Sequence, residues 1–159
     1  MANGVSIRCA LASERQALEA VQWRASLANA GDRDALLANP DAIELTIEQI
    51  AEGHVFVAEM DGSIAGFAAV LLRDDGQVEV DGLFVEPDLQ RHGIGRALVA
   101  HCVDFAVRRG ATSLHVIGNT HAQAFYATCG FVCEGVQKTR FGEGLLLRKD
   151  LCSISPPSR

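Results

Sequence analysis

The segment Gln90-Arg91-His92-Gly93-Ile94-Gly95-Arg96 is the part of this sequence best equipped to hold an anion. An apolar run, Leu83-Phe84-Val85, precedes it, and a stripe of Ile94, Leu98, Cys102 and Phe105 at helical spacing begins within it and runs on beyond. Two glycines and two arginines therefore stand where a strand gives way to a helix. Helix openings leave N–H groups without intrahelical partners. Glycines, lacking Cβ atoms, let a pyrophosphate come up to those groups. Arg91 and Arg96 can add charge-assisted bonds, and His92 is expected to contribute a backbone N–H. Rival phosphate patterns are missing. There is no G-x-x-x-x-G-K-S/T, and the third glycine of a dinucleotide loop would fall at Leu98. A P-loop kinase and a Rossmann dehydrogenase are both disfavoured.

Just upstream, Glu79, Asp81, Leu83 and Val85 alternate along one predicted strand and are expected to share a face. Two carboxylates so placed can supply a general base, and their proximity raises one pKa toward neutrality. Metal chemistry has no comparable support. The cysteines, Cys9, Cys102, Cys129, Cys133 and Cys152, contain no C-x-x-C pair, and His54, His101 and His121 stand at no ligand spacing to them. No metal and no disulfide framework are assigned, and the thiols read as reduced in a cytoplasmic protein.

The elements that must position these residues follow from periodicity. Val5–Cys9 reads as a short strand. Ser13 is expected to cap a helix carrying Leu18, Val21, Ala25 and Ala28. Residues 31–40 read as an irregular connection with some helical character near Leu36. Thr46 to Gln49 has capping-box spacing and opens a short helix that Gly53 stops. Residues 54–60, 64–73 and 77–85 read as three antiparallel strands joined by tight turns, with Pro87 ending the run. The helix after the loop ends at Arg108, Arg109 and Gly110. A strand at 113–117, a helix at 122–128 and strands at 131–136 and 145–148 close the chain. The predicted class is α/β (α+β): a central, mostly antiparallel mixed sheet with helices on both faces.

With 159 residues, the chain reads as one domain over 1–152 with a tail at 153–159. That length buries roughly 70% of the unfolded surface without staples. A net charge of −6 disfavours a nucleic-acid partner and eases a cationic one. No apolar run is long enough to span a membrane, and no secretory pattern opens the chain.

The loop also resembles a known signature. Gln90-Arg91-His92-Gly93-Ile94-Gly95 fits the Q/R-x-x-G-x-G/A acyl-CoA motif of the GNAT (Gcn5-related N-acetyltransferase) family at every position. Asn119-Thr120-His121-Ala122-Gln123-Ala124-Phe125-Tyr126, followed by Gly130-Phe131, is similar to that family's second motif, in the same order and separation. The resemblance runs from about His54 to Val136. It implies strands four and five splayed apart, with the pantetheine of acetyl-CoA lying between them. Backbone groups at Leu83, Phe84 and Val85 would hold thioester and pantetheine, those from Arg91 to Arg96 the pyrophosphate, and Asn119 the pantetheine arm.

The resemblance further implies an N-acetyltransferase that moves acetyl to a primary amine of a small molecule or peptide in a ternary complex. Tyr126, the only tyrosine, matches the family's proton donor to the leaving thiolate. Glu79, through a water, is the first choice of base and Asp81 the second. Members acting on ribosomal-protein N-termini carry a glutamate where this chain has Leu114, so that role is disfavoured. His115 could reach the site, although a structural histidine is the simpler reading. Trp23 is a candidate substrate wall, and Asp32, Asp34, Asp41 and Glu44 could favour a cationic amine. The resemblance admits a homodimer. Two other functions stay open: a non-catalytic acyl-CoA sensor, and an enzyme using another acyl-CoA.

Overall fold

Strand β2 (Val55–Met60) opens Val-Phe-Val-Ala, apolar on both faces, and that pattern demands cover on both sides. The computed structural model supplies it, describing residues 4–28, 30–39, 45–120, 122–139 and 142–151. Val55 and Val57 face one core with Leu18, Val21, Ile50, Phe67 and Ala69. Phe56 and Ala58 face a second, larger core with Val70, Val78, Val80, Leu98 and Cys102. Helices α1 (Arg15–Ala28) and α3 (Ile47–Ala51) cover the first face, and α4 (Ile94–Arg108) and α5 (Gln123–Thr128) the second.

The sheet has seven strands in the order β1-β2-β3-β4-β5-β7-β6. Its other members are β1 (Val5–Cys9), β3 (Ser63–Leu72), β4 (Val78–Val85), β5 (Ser113–Gly118), β6 (Val132–Thr139) and β7 (Gly142–Asp150). All neighbours are antiparallel except β4 and β5. The expected class, with helices on both faces, is what forms. Both closing strands are longer than their apolar cores suggested, because polar residues at their ends still pair, Thr139 with Gly142 for one.

The parallel pair is short. Val78, Glu79 and Val80 pair with Leu114, His115 and Val116, and the ladder stops there. Gln77 reinforces its closed end. Its Oε1 accepts from the amides of Thr112 and Ser113, both at 2.9 Å, and its Nε2 donates to Thr112 Oγ1 at 3.2 Å. Beyond Val80 the two strands diverge as expected.

Three local expectations are corrected. Ser13 does not cap α1. It lies inside a 3-10 turn, Ala12–Glu14, whose entry is Leu11. Glu14 Oε1 accepts from Leu11 N at 2.8 Å while its carboxylate pairs with Arg8, and together these fix the turn. Thr46, by contrast, caps α3 by accepting from Gln49 N at 3.1 Å. The connection at 31–40 is mostly helix α2 (Ala30–Ala38), whose second half, Ala35-Leu36-Leu37-Ala38, is made of strong helix formers, with Leu36 buried.

The third correction concerns β4. Ala69 pairs with Gly82 and Val70 with Val80, so Asp81 is the extra residue of a bulge. The bulge reverses the alternation. Val78 and Val80 sit in the α4-side core, and beyond the bulge Leu83 and Val85 pack against that same core. Phe84 packs on the α1 side, against Phe67. Glu79 therefore does not share a face with Leu83 and Val85.

Leu98, fully buried where α4 crosses the sheet, tests this packing. Leu98→Ala is expected to cost about 2–5 kcal/mol, read as a lower denaturant midpoint at unchanged slope.

Candidate active site

The divergence of β4 and β5 opens a cleft of about 940 Å³, at the upper end of the usual range for ligand sites of about 300–1,000 Å³. One wall is β4 beyond the bulge, where Leu83, Phe84 and Val85 remain paired with β3 and leave their β5-facing edge to the cleft. The opposite wall is the end of β5, with Ile117, Gly118 and Asn119.

The loop closes one end. After Val85 the chain takes a 3-10 turn, Pro87–Leu89, and enters α4 through Gly93. Gly93 adopts φ 79°, a left-handed conformation that favours glycine. Arg91 adopts φ 70°, which is unusual for a residue with a side chain and costs backbone strain. Ala97 N donates to Gly93 O at 3.0 Å, the first bond of the helix ladder. The amides of Ile94, Gly95 and Arg96 precede that ladder. Arg91, Gly93, Ile94, Gly95 and Arg96 all line the cleft. His92 does not line it: its Nδ1 lies 3.1 Å from Leu89 O and 3.0 Å from Gln90 O. A Cβ on Gly95 would meet the Phe125 ring at 3.1 Å, so this glycine also permits α4 to pack on α5.

Asn119 lines the cleft, and its Oδ1 accepts from Ala122 N at 2.8 Å, which sets the turn into α5. That turn carries Tyr126 into the same cleft. Tyr126 is 6% exposed and packs edge-on against Phe125 and Phe131. Burial, with smaller contributions from Cys102 and Cys129, pushes its phenol well above the usual range. Tyr126 therefore keeps its proton at neutral pH.

Glu79 and Asp81 both reach the cleft despite the bulge. Burial raises the Glu79 carboxyl above its ordinary value, opposed by Arg73 and helped by Asp81. Asp81 Oδ2 accepts from Gln49 Nε2 at 3.3 Å. Leu114 is fully buried, so β5 offers no carboxylate at that position. His115 lies off the cleft, its Nε2 2.7 Å from Ser113 Oγ, and burial lowers its pKa.

Trp23 is half-buried but does not line the cleft; Gln22, Ala25 and Ser26 of α1 do, with Leu36 of α2. Positions 22, 25 and 26 form one helical face, a signal that periodicity contained. Thr139, Glu143 and Gly144 also line it, and no sequence pattern pointed to them. Asp34 is exposed and off the cleft. Asp41, Glu44, His121, Cys152 and the tail at 153–159 lie outside the described residues, as does the Asp32 side chain. Among the described residues no three His, Cys, Asp or Glu side chains converge as metal ligands. No helix among them is long and apolar enough to cross a membrane.

Residues 18–131 match the acetyltransferase (GNAT) family. The chain is 40% identical over 80 residues to the streptothricin acetyltransferase of Streptomyces lavendulae, covering 48% of this chain and 42% of that one. It is 34% identical over 79 residues to the ribosomal protein bS18-alanine N-acetyltransferase of Escherichia coli, covering 48% and 53%. The alignments thus span about half the length of these relatives. The fold is similar to that of the PaiA N-acetyltransferase of Thermoplasma acidophilum, solved in complex with coenzyme A. The TM-score is 0.72 at 17% identity, over 92% of this chain and 98% of that one.

Proposed function

We infer the reaction from the premise that this chain belongs to the GNAT family of acetyltransferases: it transfers the acetyl group of acetyl-CoA to a primary amine of a small molecule or peptide, by direct attack in a ternary complex. The observation that carries this reading is the cleft where β4 and β5 part, with unladdered amides and two arginines at one end and Glu79, Asp81 and Tyr126 in its walls. The residues fit acetyl-CoA. The amides of residues 93–96, with the Arg91 and Arg96 side chains, suit its pyrophosphate. The open edge of β4 at Leu83, Phe84 and Val85 suits its pantetheine, added like another strand, and Asn119 stands where the arm would pass. Bound there, acetyl-CoA supplies the activated acyl group.

The chain's own residues then manage protons. Glu79, half-buried and without an ion pair among the described residues, accepts the amine proton through a water. Asp81, already engaged by Gln49, is the second choice. Tyr126 donates a hydrogen bond to the departing sulfur; its raised pKa means that it stabilises the thiolate more than it hands over a proton. The free Cys9, Cys102, Cys129 and Cys133 suit a reducing, cytoplasmic setting, which is part of the proposal.

Thiol release from acetyl-CoA in the presence of amines, amino acids, aminoglycosides and peptides tests the reading. Absence of turnover by a protein that binds acetyl-CoA would favour a sensor instead. Glu79→Gln is expected to lower kcat about tenfold, less than the roughly 10²–10⁴ usual for a general base, because Asp81 remains. Glu79 works only when ionised, so the wild-type rate should fall as pH drops through a carboxyl pKa above the ordinary range, and the variant should lose that limb. An unchanged pH–rate profile would remove Glu79 from the mechanism.

A further inference from the structure

Helix α5 has six residues, too few to hold itself together in water, so outside contacts decide where it sits and where it carries Tyr126. Two of those contacts come from adjacent residues in the first turn of α4, at the loop end of the cleft. The Phe125 ring lies so close to Gly95 that a Cβ there would meet it at 3.1 Å. Arg96 Nη1 donates to Thr128 O at 3.3 Å. Thr128 is the last residue of α5, and its carbonyl is among those that a helix end leaves without intrahelical partners. A cation there also suits the negative end of the helix. Lys149 Nζ donates to the next carbonyl, Cys129 O, at 2.9 Å and ties the same end to β7. Tyr126 lies between Phe125 and Thr128 in the chain and packs edge-on against Phe125, with ring centroids 5.1 Å apart.

The two cations differ in what else they touch. Lys149 does not line the cleft, whereas Arg96 does. A guanidinium carries several N–H donors in a rigid fork, and the bond to Thr128 uses only one of them. The others can donate to phosphate oxygens at the loop end. An arginine held from both sides loses its freedom, and the α5 carbonyl bonded to it is fixed with it. We propose that Arg96 is a positioning residue that links occupancy of the loop by a pyrophosphate to the placement of the Tyr126 hydroxyl. This rests on the acetyl-transfer reading above and deepens it. Tyr126 is brought into place at the leaving sulfur when the far end of the acyl donor is seated, and Arg96 acts on that sulfur only through Tyr126.

Tyr126 is the only tyrosine, so protein grown on fluorotyrosine gives a single fluorine NMR resonance that reports on this ring. ADP is the probe for the loop, because it carries a pyrophosphate but no pantetheine to touch Tyr126. With ADP saturating, as calorimetry checks, the wild-type resonance is expected to shift. Arg96→Met, an exposed substitution, should lose most of that shift. A wild-type resonance unmoved by bound ADP, or an equal shift in the variant, overturns the link. Failure of the wild type to bind ADP overturns the link together with the phosphate assignment. Kinetics give a second reading. At saturating acetyl-CoA, Arg96→Met is expected to lower kcat about tenfold, and to lower it no further in a Tyr126→Phe background. Equal losses in both backgrounds would show that Arg96 serves the donor alone. Absence of turnover with any amine, by protein that binds acetyl-CoA, overturns the reaction and leaves the ADP response to decide the link.

Discussion

Gly93→Asp is expected to weaken acetyl-CoA binding by about two orders of magnitude, since each lost charge-assisted bond is worth about 1.5–3 kcal/mol. Two effects act together. A Cβ and carboxylate would project from the residue that admits the chain to α4, and a negative charge would stand beside the proposed pyrophosphate. Aspartate suits the test because it tolerates the left-handed backbone at φ 79° better than most residues, so the fold should survive. Calorimetry on variant protein with native circular dichroism reads the effect. Unchanged affinity in a folded variant would show that the loop does not hold the phosphates.

Tyr126→Phe is expected to lower kcat about a hundredfold with little change in acetyl-CoA affinity. The ring is fixed by Phe125 and Phe131, with centroids at 5.1 and 5.3 Å, and phenylalanine keeps those contacts. Only the hydroxyl is lost. Because burial holds the phenol protonated, the hydroxyl acts as a donor across the working pH range, and the loss should be nearly independent of pH. Equal kcat for variant and wild type would exclude Tyr126 from the chemistry. A fall in affinity matching the fall in rate would mark it as a packing residue.

Much of this was legible in the sequence because the signals are local. The strand-to-helix glycines, the stripe from Ile94 to Cys102 and the cap at Thr46 each sit within a few residues of what they control. The bulge at Asp81 was not legible. It arises from pairing with a strand some twelve residues away in sequence, and a period-two reading of β4 alone cannot register an extra residue. The α1 start failed for a similar reason: Glu14 is tied to Arg8 on β1 as well as to Leu11, which overrides the local preference at Ser13. Glu143 lay hidden because a hairpin brings it to the cleft from the far end of the chain.

The sheet is in effect two sheets, β1 to β4 and β5 to β7, joined by three residue pairs and the Gln77 amide. In the binding mode proposed above, a ligand lying in the gap beyond Val80 and Val116 would stand in for the backbone pairing that the chain omits. The completed sheet would then include a metabolite as one of its members. Ligand at about a hundred times its dissociation constant adds about 2.7 kcal/mol to the folded state, comparable to burying another large side chain. On that proposal, resistance to heat and proteolysis would follow acyl-donor supply, and the seam between the two blocks is where a molecule without ligand would open first.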